Sequence, residues 1–176
     1  MMKKIWNITT WAVVIATLIL AVLITGVRLF GVTPYAVLSG SMEPTYHTGA
    51  LLYVKPVDHT TLQSGDVITY MLSENMVATH RIVEVIPDEA DPGIIRYRTK
   101  GDANNTADSS LVHYRNVIGT PVFTLPLLGY VSHYVQNPPG LYVAIAVLIL
   151  MALLILLQDF FPGRKHDESP ERSVSE

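Results

Sequence analysis

Residues 76–86 read Met-Val-Ala-Thr-His-Arg-Ile-Val-Glu-Val-Ile, an uninterrupted run rich in β-branched residues whose alternate positions are apolar. Side chains alternate across a strand, so this period of two places His80 on the same face as Ala78 and Ile82. Similar short runs lie on either side, at Ala50–Lys55, Asp66–Leu72, Ile94–Lys100 and Asn116–Thr124. Turns bearing Pro, Gly, Asp and Ser separate them, and Ser73-Glu74-Asn75 is placed to close a hairpin. This spacing predicts an all-β domain over 31–139, a small sandwich or barrel.

The two ends are a different material. Ile5–Phe30 and Leu141–Leu157 together carry a single charge, Arg28. At about 1.5 Å per helical residue, each run, the second extended through Phe161, reaches roughly the 30 Å of a hydrocarbon core. Both read as membrane helices, over 5–30 and 140–161. A cleavable signal peptide is the competing reading of the first, but no small-x-small site follows it; the exit is Ile24-Thr25-Gly26-Val27-Arg28. Lys3 and Lys4 before the first run, and Arg164 and Lys165 after the second, place both termini in the cytoplasm and the β domain outside. The polar tail over 162–176 reads as disordered.

Composition agrees. Of 176 residues 49% are hydrophobic and 15% charged, against about 25% charged in soluble domains. A net charge of −3 gives no basic surface for nucleic acid. The absence of cysteine excludes disulfides, thiolate metal sites and cysteine nucleophiles.

Chemistry concentrates in three places. Val37-Leu38-Ser39-Gly40-Ser41-Met42-Glu43-Pro44-Thr45 sets two serines around a glycine before a proline turn; alone, this is equally a connecting loop. His80 alone is more often an ordinary packed or surface strand residue than a functional one. Lys100-Gly101-Asp102-Ala103-Asn104-Asn105-Thr106-Ala107-Asp108 is a polar loop with two aspartates, without EF-hand spacing. Together Ser, His and Asp supply the nucleophile, proton shuttle and orienting carboxylate of acyl transfer.

In order along the chain, Ser39 to Pro44, Gly65-Asp66-Val67-Ile68, His80-Arg81-Ile82-Val83 and Lys100-Gly101-Asp102 to Asp108 resemble the successive boxes of type I signal peptidases. Histidine at position 80, where the common bacterial enzymes carry lysine, resembles the archaeal and endoplasmic-reticulum subgroup of peptidase family S26. The resemblance implies a mainly β, signal-peptidase-like domain flanked by two transmembrane helices, in a plasma membrane or the endoplasmic reticulum. It implies a serine endopeptidase that removes signal peptides from exported preproteins. Ser41 would be the nucleophile, His80 its base and Asp108 the catalytic acid residue, with Ser39 at the oxyanion hole and Asp102 in support. Signal peptides, the lipid bilayer and the protein-export machinery are the implied partners, with no cofactor, no metal and no nucleic acid. Lys55 is the rival base of a Ser-Lys dyad, but it fits no box spacing. Two other readings are a non-catalytic, membrane-tethered β module and a self-cleaving protein of the repressor type; the apolar ends and His80 speak against the latter.

Overall fold

The computed structural model describes residues 2–160 apart from 75, 89, 90 and 92. Asn75 of the expected hairpin turn, the Lys3 side chain, Phe161, the Arg164/Lys165 flank and the tail lie outside the described residues. The chain runs α1 (Met2–Ile24), β1 (Thr33–Ala36), β2 (Leu51–Lys55), β3 (Val67–Ser73), β4 (Met76–Pro87), β5 (Ile95–Lys100), β6 (Val112–His113), β7 (Val117–Leu125), α2 (Leu128–Gln136) and α3 (Gly140–Phe160).

All seven strands join in one open antiparallel sheet in the order β1-β2-β7-β3-β4-β5-β6. The sheet is continuous, so the expected small sandwich or barrel is met in its coarser part, a mainly antiparallel β domain. The cause of the continuity is β7, long enough to pair with β2 through Thr120–Leu125 and with β3 through Val117 and Gly119. Gly119 sits at the changeover because a Cβ there would come within 2.0 Å of the Lys55 carbonyl oxygen. The five expected strands are present with ends shifted by about a residue, and β3 and β4 form the expected hairpin.

The core follows from strand alternation. Ile68 and Tyr70 on β3, Ile82 on β4 and Tyr97 on β5 are buried together with Leu62 and Val112. The register opposes Ile68 to His80 and Tyr70 to Ala78, so the face carrying His80 is the core face. Burial of each large apolar side chain contributes about 1.5–3 kcal/mol. Tyr97, wholly buried, donates its hydroxyl to the His59 carbonyl at 2.8 Å, which satisfies its polar atom inside the core.

α1 contains neither Pro nor Gly, and its Thr10 and Thr17 hydroxyls donate to the Trp6 and Val13 carbonyls one turn back, as polar groups in an apolar helix require. Its Trp6–Ile24 stretch is apolar and long enough to cross a bilayer. The helix stops at Ile24, short of the expected Phe30: residues Gly26–Phe30 form a 3₁₀ turn closed by Gly31 in the left-handed region, φ 72°, a conformation favourable for glycine. The Tyr53 hydroxyl on β2 donates to the Leu23 carbonyl at 2.9 Å, fastening the sheet to the end of α1. Within the described residues the apolar part of α3, Gly140–Leu156, reaches a spanning length only together with α2, across a bend of 91°.

Candidate active site

The segment between β1 and β2 is a strap pinned at both ends. Val37 N–H donates to the Ala50 carbonyl and Gly49 N–H to the Val37 carbonyl. Between these pins the chain turns tightly, with Glu43 N–H donating to Gly40 and Tyr46 N–H to Met42. Met42, 3% exposed, roots the turn. The Glu43 carboxylate accepts the Thr48 N–H at 3.1 Å and meets His47 Nδ1. Those two contacts, the backbone N–H first, hold the Glu43 carboxyl below its ordinary range. The strap thereby presents Ser39, Gly40 and Ser41 at its crest.

Ser41 Oγ lies 3.2 Å from His80 Nε2, and His80 Nδ1 lies 2.6 Å from Asp108 Oδ2. An ionised carboxylate only accepts, so the hydrogen-bond network assigns the proton to Nδ1 and leaves Nε2 as an acceptor facing Ser41. Thr99 Oγ1, fully buried, donates to the same Asp108 oxygen at 2.6 Å, and the Tyr70 hydroxyl donates to it at 3.3 Å. Burial, reinforced by the Asp108 carboxylate, pushes the Tyr70 phenol above its ordinary range and keeps it a donor. Asp108 N–H donates to the Thr99 carbonyl, fixing the loop to β5. Ser39 Oγ stands 3.3 Å from Ser41 Oγ.

Asp102 is engaged elsewhere. It takes a bidentate contact from Arg81, Nε at 2.8 Å and Nη2 at 2.6 Å, and a hydrogen bond from the Thr45 hydroxyl. Arg81 Nη1 also donates to the Gly65 carbonyl. Because Arg81 follows His80 on β4, its side chain points to the opposite face of the sheet. The acidic loop presses on the strap: Ala103 N–H donates to the Ser41 carbonyl, and a Cβ on Gly101 would come within 2.5 Å of that oxygen.

A groove of about 210 Å³ opens beside these groups, walled by Tyr35, Val37 and Leu52 on one side and Val77 to Thr79 on the other. Lys55 is exposed at the far end of β2, about 13 Å along the strand from the Leu51 end that adjoins the strap. The structure thus brings Ser39, Ser41, His80 and Asp108 together, sets Asp102 one loop turn away, and leaves Lys55 outside. Sequence reasoning missed Tyr70, Thr99, Arg81 and Thr45 as partners. The available signal for Thr99 was strand alternation, which sets its hydroxyl on the same face as the apolar ring of Tyr97, where a hydroxyl needs an acceptor.

A family model described as signal peptidase, peptidase S26, matches residues 8–121, which include every site residue named above. The chain belongs to this family. It is 49% identical over 83 residues to signal peptidase I W of Bacillus subtilis, covering 47% of this chain and 42% of that protein. It is 30% identical over 130 residues to the human signal peptidase complex catalytic subunit SEC11C, covering 69% of this chain and 66% of that protein. The matches therefore span between two-fifths and two-thirds of these relatives' lengths. A fungal SEC11 from Colletotrichum graminicola is 30% identical over 132 residues, 69% of this chain and 73% of that protein.

The Asp102–Arg81 pair generates a prediction for this signal-peptidase-family chain. Hydrogen bonding to Arg81 holds the Asp102 carboxyl below its ordinary range, so its stabilising effect is fully present above the unfolded value, near pH 3.9, and is lost as pH falls through the lower folded value. Asp102→Asn is expected to lower stability at pH 7 by about 1–2 kcal/mol, a charged hydrogen-bond value discounted for the partly exposed Arg81. Thermal unfolding in detergent should show this deficit constant above about pH 5 and shrinking below about pH 4. A deficit independent of pH would remove the ion pair as its cause.

Proposed function

We propose that this chain is a membrane-anchored serine endopeptidase that removes signal peptides from exported preproteins, with Ser41 as nucleophile, His80 as general base and Asp108 as the group that orients the imidazole. The relay from Ser41 Oγ through both ring nitrogens to Asp108 carries this reading. It is the geometry acyl transfer requires, on a chain of the matching family.

The reaction follows from the contacts. Ser41 Oγ attacks the scissile carbonyl carbon as its proton passes to Nε2, and the imidazolium formed is stabilised by Asp108. The tetrahedral oxyanion is placed to receive the Ser41 N–H and the Ser39 hydroxyl, donors whose positions are fixed before substrate arrives. The C–N bond then breaks, and Nε2 returns its proton to the leaving amine. Water, deprotonated by the same nitrogen, hydrolyses the acyl-enzyme and restores Ser41. No step calls for a metal or organic cofactor. Asp102 acts at a distance: with Arg81 and Thr45 it locks the strap to the acidic loop, so that Ser41 and Asp108 keep their spacing on either side of His80.

The groove suits an extended peptide. Its apolar walls and modest volume favour small side chains ahead of the cut. A transmembrane α1, with the apolar run over 140–161 that contains α3 as a second span, would keep the groove at the membrane surface where a signal peptide ends, with both termini cytoplasmic and the β domain outside. Partners are then the signal peptide, the bilayer and the export machinery.

The defining experiment incubates the detergent-solubilised chain with a preprotein and sequences the new N-terminus. Ser41→Ala should abolish cleavage, Ser39→Ala should lower kcat/KM by about 10²- to 10³-fold as loss of one oxyanion donor does, and Asp108→Asn should lower it by about 10⁴-fold by favouring the wrong tautomer. Full activity of Ser41→Ala, or a larger loss at Asp102→Asn than at Asp108→Asn, would overturn the assignment. For the topology, protease added to sealed cells should spare a C-terminal tag; its loss would contradict the two-span arrangement.

A further inference from the structure

α2 is a nine-residue helix with no Asp, Glu, Lys or Arg. Its inner face is made of small residues: Gly129 and Ser132 are buried, Gly129 N–H donates to the Gly49 carbonyl at 2.9 Å, and a Cβ at 129 would come within 2.1 Å of the Ala50 carbonyl oxygen. Its exposed face carries Tyr130, Val131 and Tyr134, which are 53%, 39% and 51% exposed, and Leu127, the residue before the helix, is 69% exposed. Tyr130 and Tyr134 stand one turn apart with Val131 beside them, and Leu127 extends this exposed apolar stripe at the helix entry. The helix therefore buries its small residues and leaves large apolar surface exposed, with one side of the Tyr130 ring resting on Gly49.

Such a stripe needs an occupant, and three observations agree on one. α2 meets the apolar α3 at 91°, so with α3 along a bilayer normal, α2 lies parallel to the membrane surface. Two of the stripe's four residues are tyrosines, whose ring and hydroxyl suit the boundary between hydrocarbon and headgroups. Leu29 and Phe30, 89% and 80% exposed in the turn that follows α1, are further large apolar groups at the exit of the other apolar helix.

We propose that α2 is an in-plane membrane helix that seats the Leu127, Tyr130, Val131 and Tyr134 stripe in the lipid headgroup region and holds the substrate groove at a fixed height above the bilayer. The mechanical path is short. α2 holds Gly49 through the Gly129 N–H and covers it with the Tyr130 ring; Gly49 N–H donates to the Val37 carbonyl; Val37 walls the groove beside Ser39 and Ser41. A helix seated about 5–10 Å into the interface thus transmits its depth to the wall along which the scissile peptide lies. The proposal rests on the membrane anchoring stated above.

The chain has no cysteine, so a nitroxide label attaches at one introduced position. Three single variants of the full chain are compared in phosphatidylcholine–phosphatidylglycerol vesicles: Leu18→Cys in α1, Val131→Cys in α2 and Glu84→Cys, which is exposed on β4. Paramagnetic relaxation by oxygen and by a water-soluble nickel chelate reads the depth of each. The expected result is a Val131 label reached by oxygen and several-fold less accessible to the chelate than the Glu84 label, and shallower than the Leu18 label. A Val131 label as accessible to the chelate as Glu84 overturns the proposal. Shielding from both reagents also overturns it, by showing that protein, whether a second copy or another chain, covers the stripe. If the Leu18 label is itself reached by the chelate, the anchoring reading fails first; a deep Leu18 label with a wet Val131 label refutes the in-plane helix alone.

Discussion

The Oδ2 atom of Asp108 accepts from His80 Nδ1, Thr99 and Tyr70 at once, and the geometry of the site depends on that saturation. The carboxyl group is only 24% exposed, and three donors on one oxygen satisfy it and leave it one orientation. Each donor comes from a different strand, Tyr70 from β3, His80 from β4 and Thr99 from β5. The core face of the sheet is therefore also the platform that aims the imidazole. Its other nitrogen is left pointing outward at the strap, where Ser41 stands.

A second tether fixes the distance from the strap to this platform. Asp102 binds Thr45 on the strap and Arg81 on β4, while Ala103 N–H holds the Ser41 carbonyl. The two aspartates of one loop thus do different work on opposite faces of β4. Loss of the Asp108 contact frees the ring, whereas loss of the Asp102 contact frees the backbone that carries Ser41. The strap is joined at its other end to α2 and, through the Tyr53 hydroxyl, the sheet is joined to α1. The site, α1 and α2 are thus joined through backbone within a few residues of the strap.

Much of this was legible in the sequence because the signals were local. The period-two runs predicted five strands, and the apolar ends predicted α1 and the run that forms α3. β1 escaped because it is four residues long and contains Pro34, and β6 because it is two residues long. α2 escaped because it is nine residues long and its buried residues are Gly and Ser, which carry no core signature. Sheet order was not legible either, since β7 pairing with both β2 and β3 depends on a close approach at Gly119 that no local pattern encodes. Ser41, His80 and Asp108 came from the order of boxes and their resemblance to a family, not from spacing, which leaves serine loops and acidic loops ambiguous. The partners Thr99, Tyr70 and Arg81 depend on cross-strand register, which the sequence does not state.

The central claim, that Asp108 fixes the imidazole so that an unprotonated Nε2 faces Ser41, is open to one direct measurement: the ¹⁵N chemical shifts of the His80 ring in the folded protein at a pH where the ring is neutral. The account predicts the tautomer with hydrogen on Nδ1 and a pyridine-like Nε2, with that preference reduced or lost in Asp108→Asn. A ring that carries its hydrogen on Nε2 in the unaltered protein would contradict it.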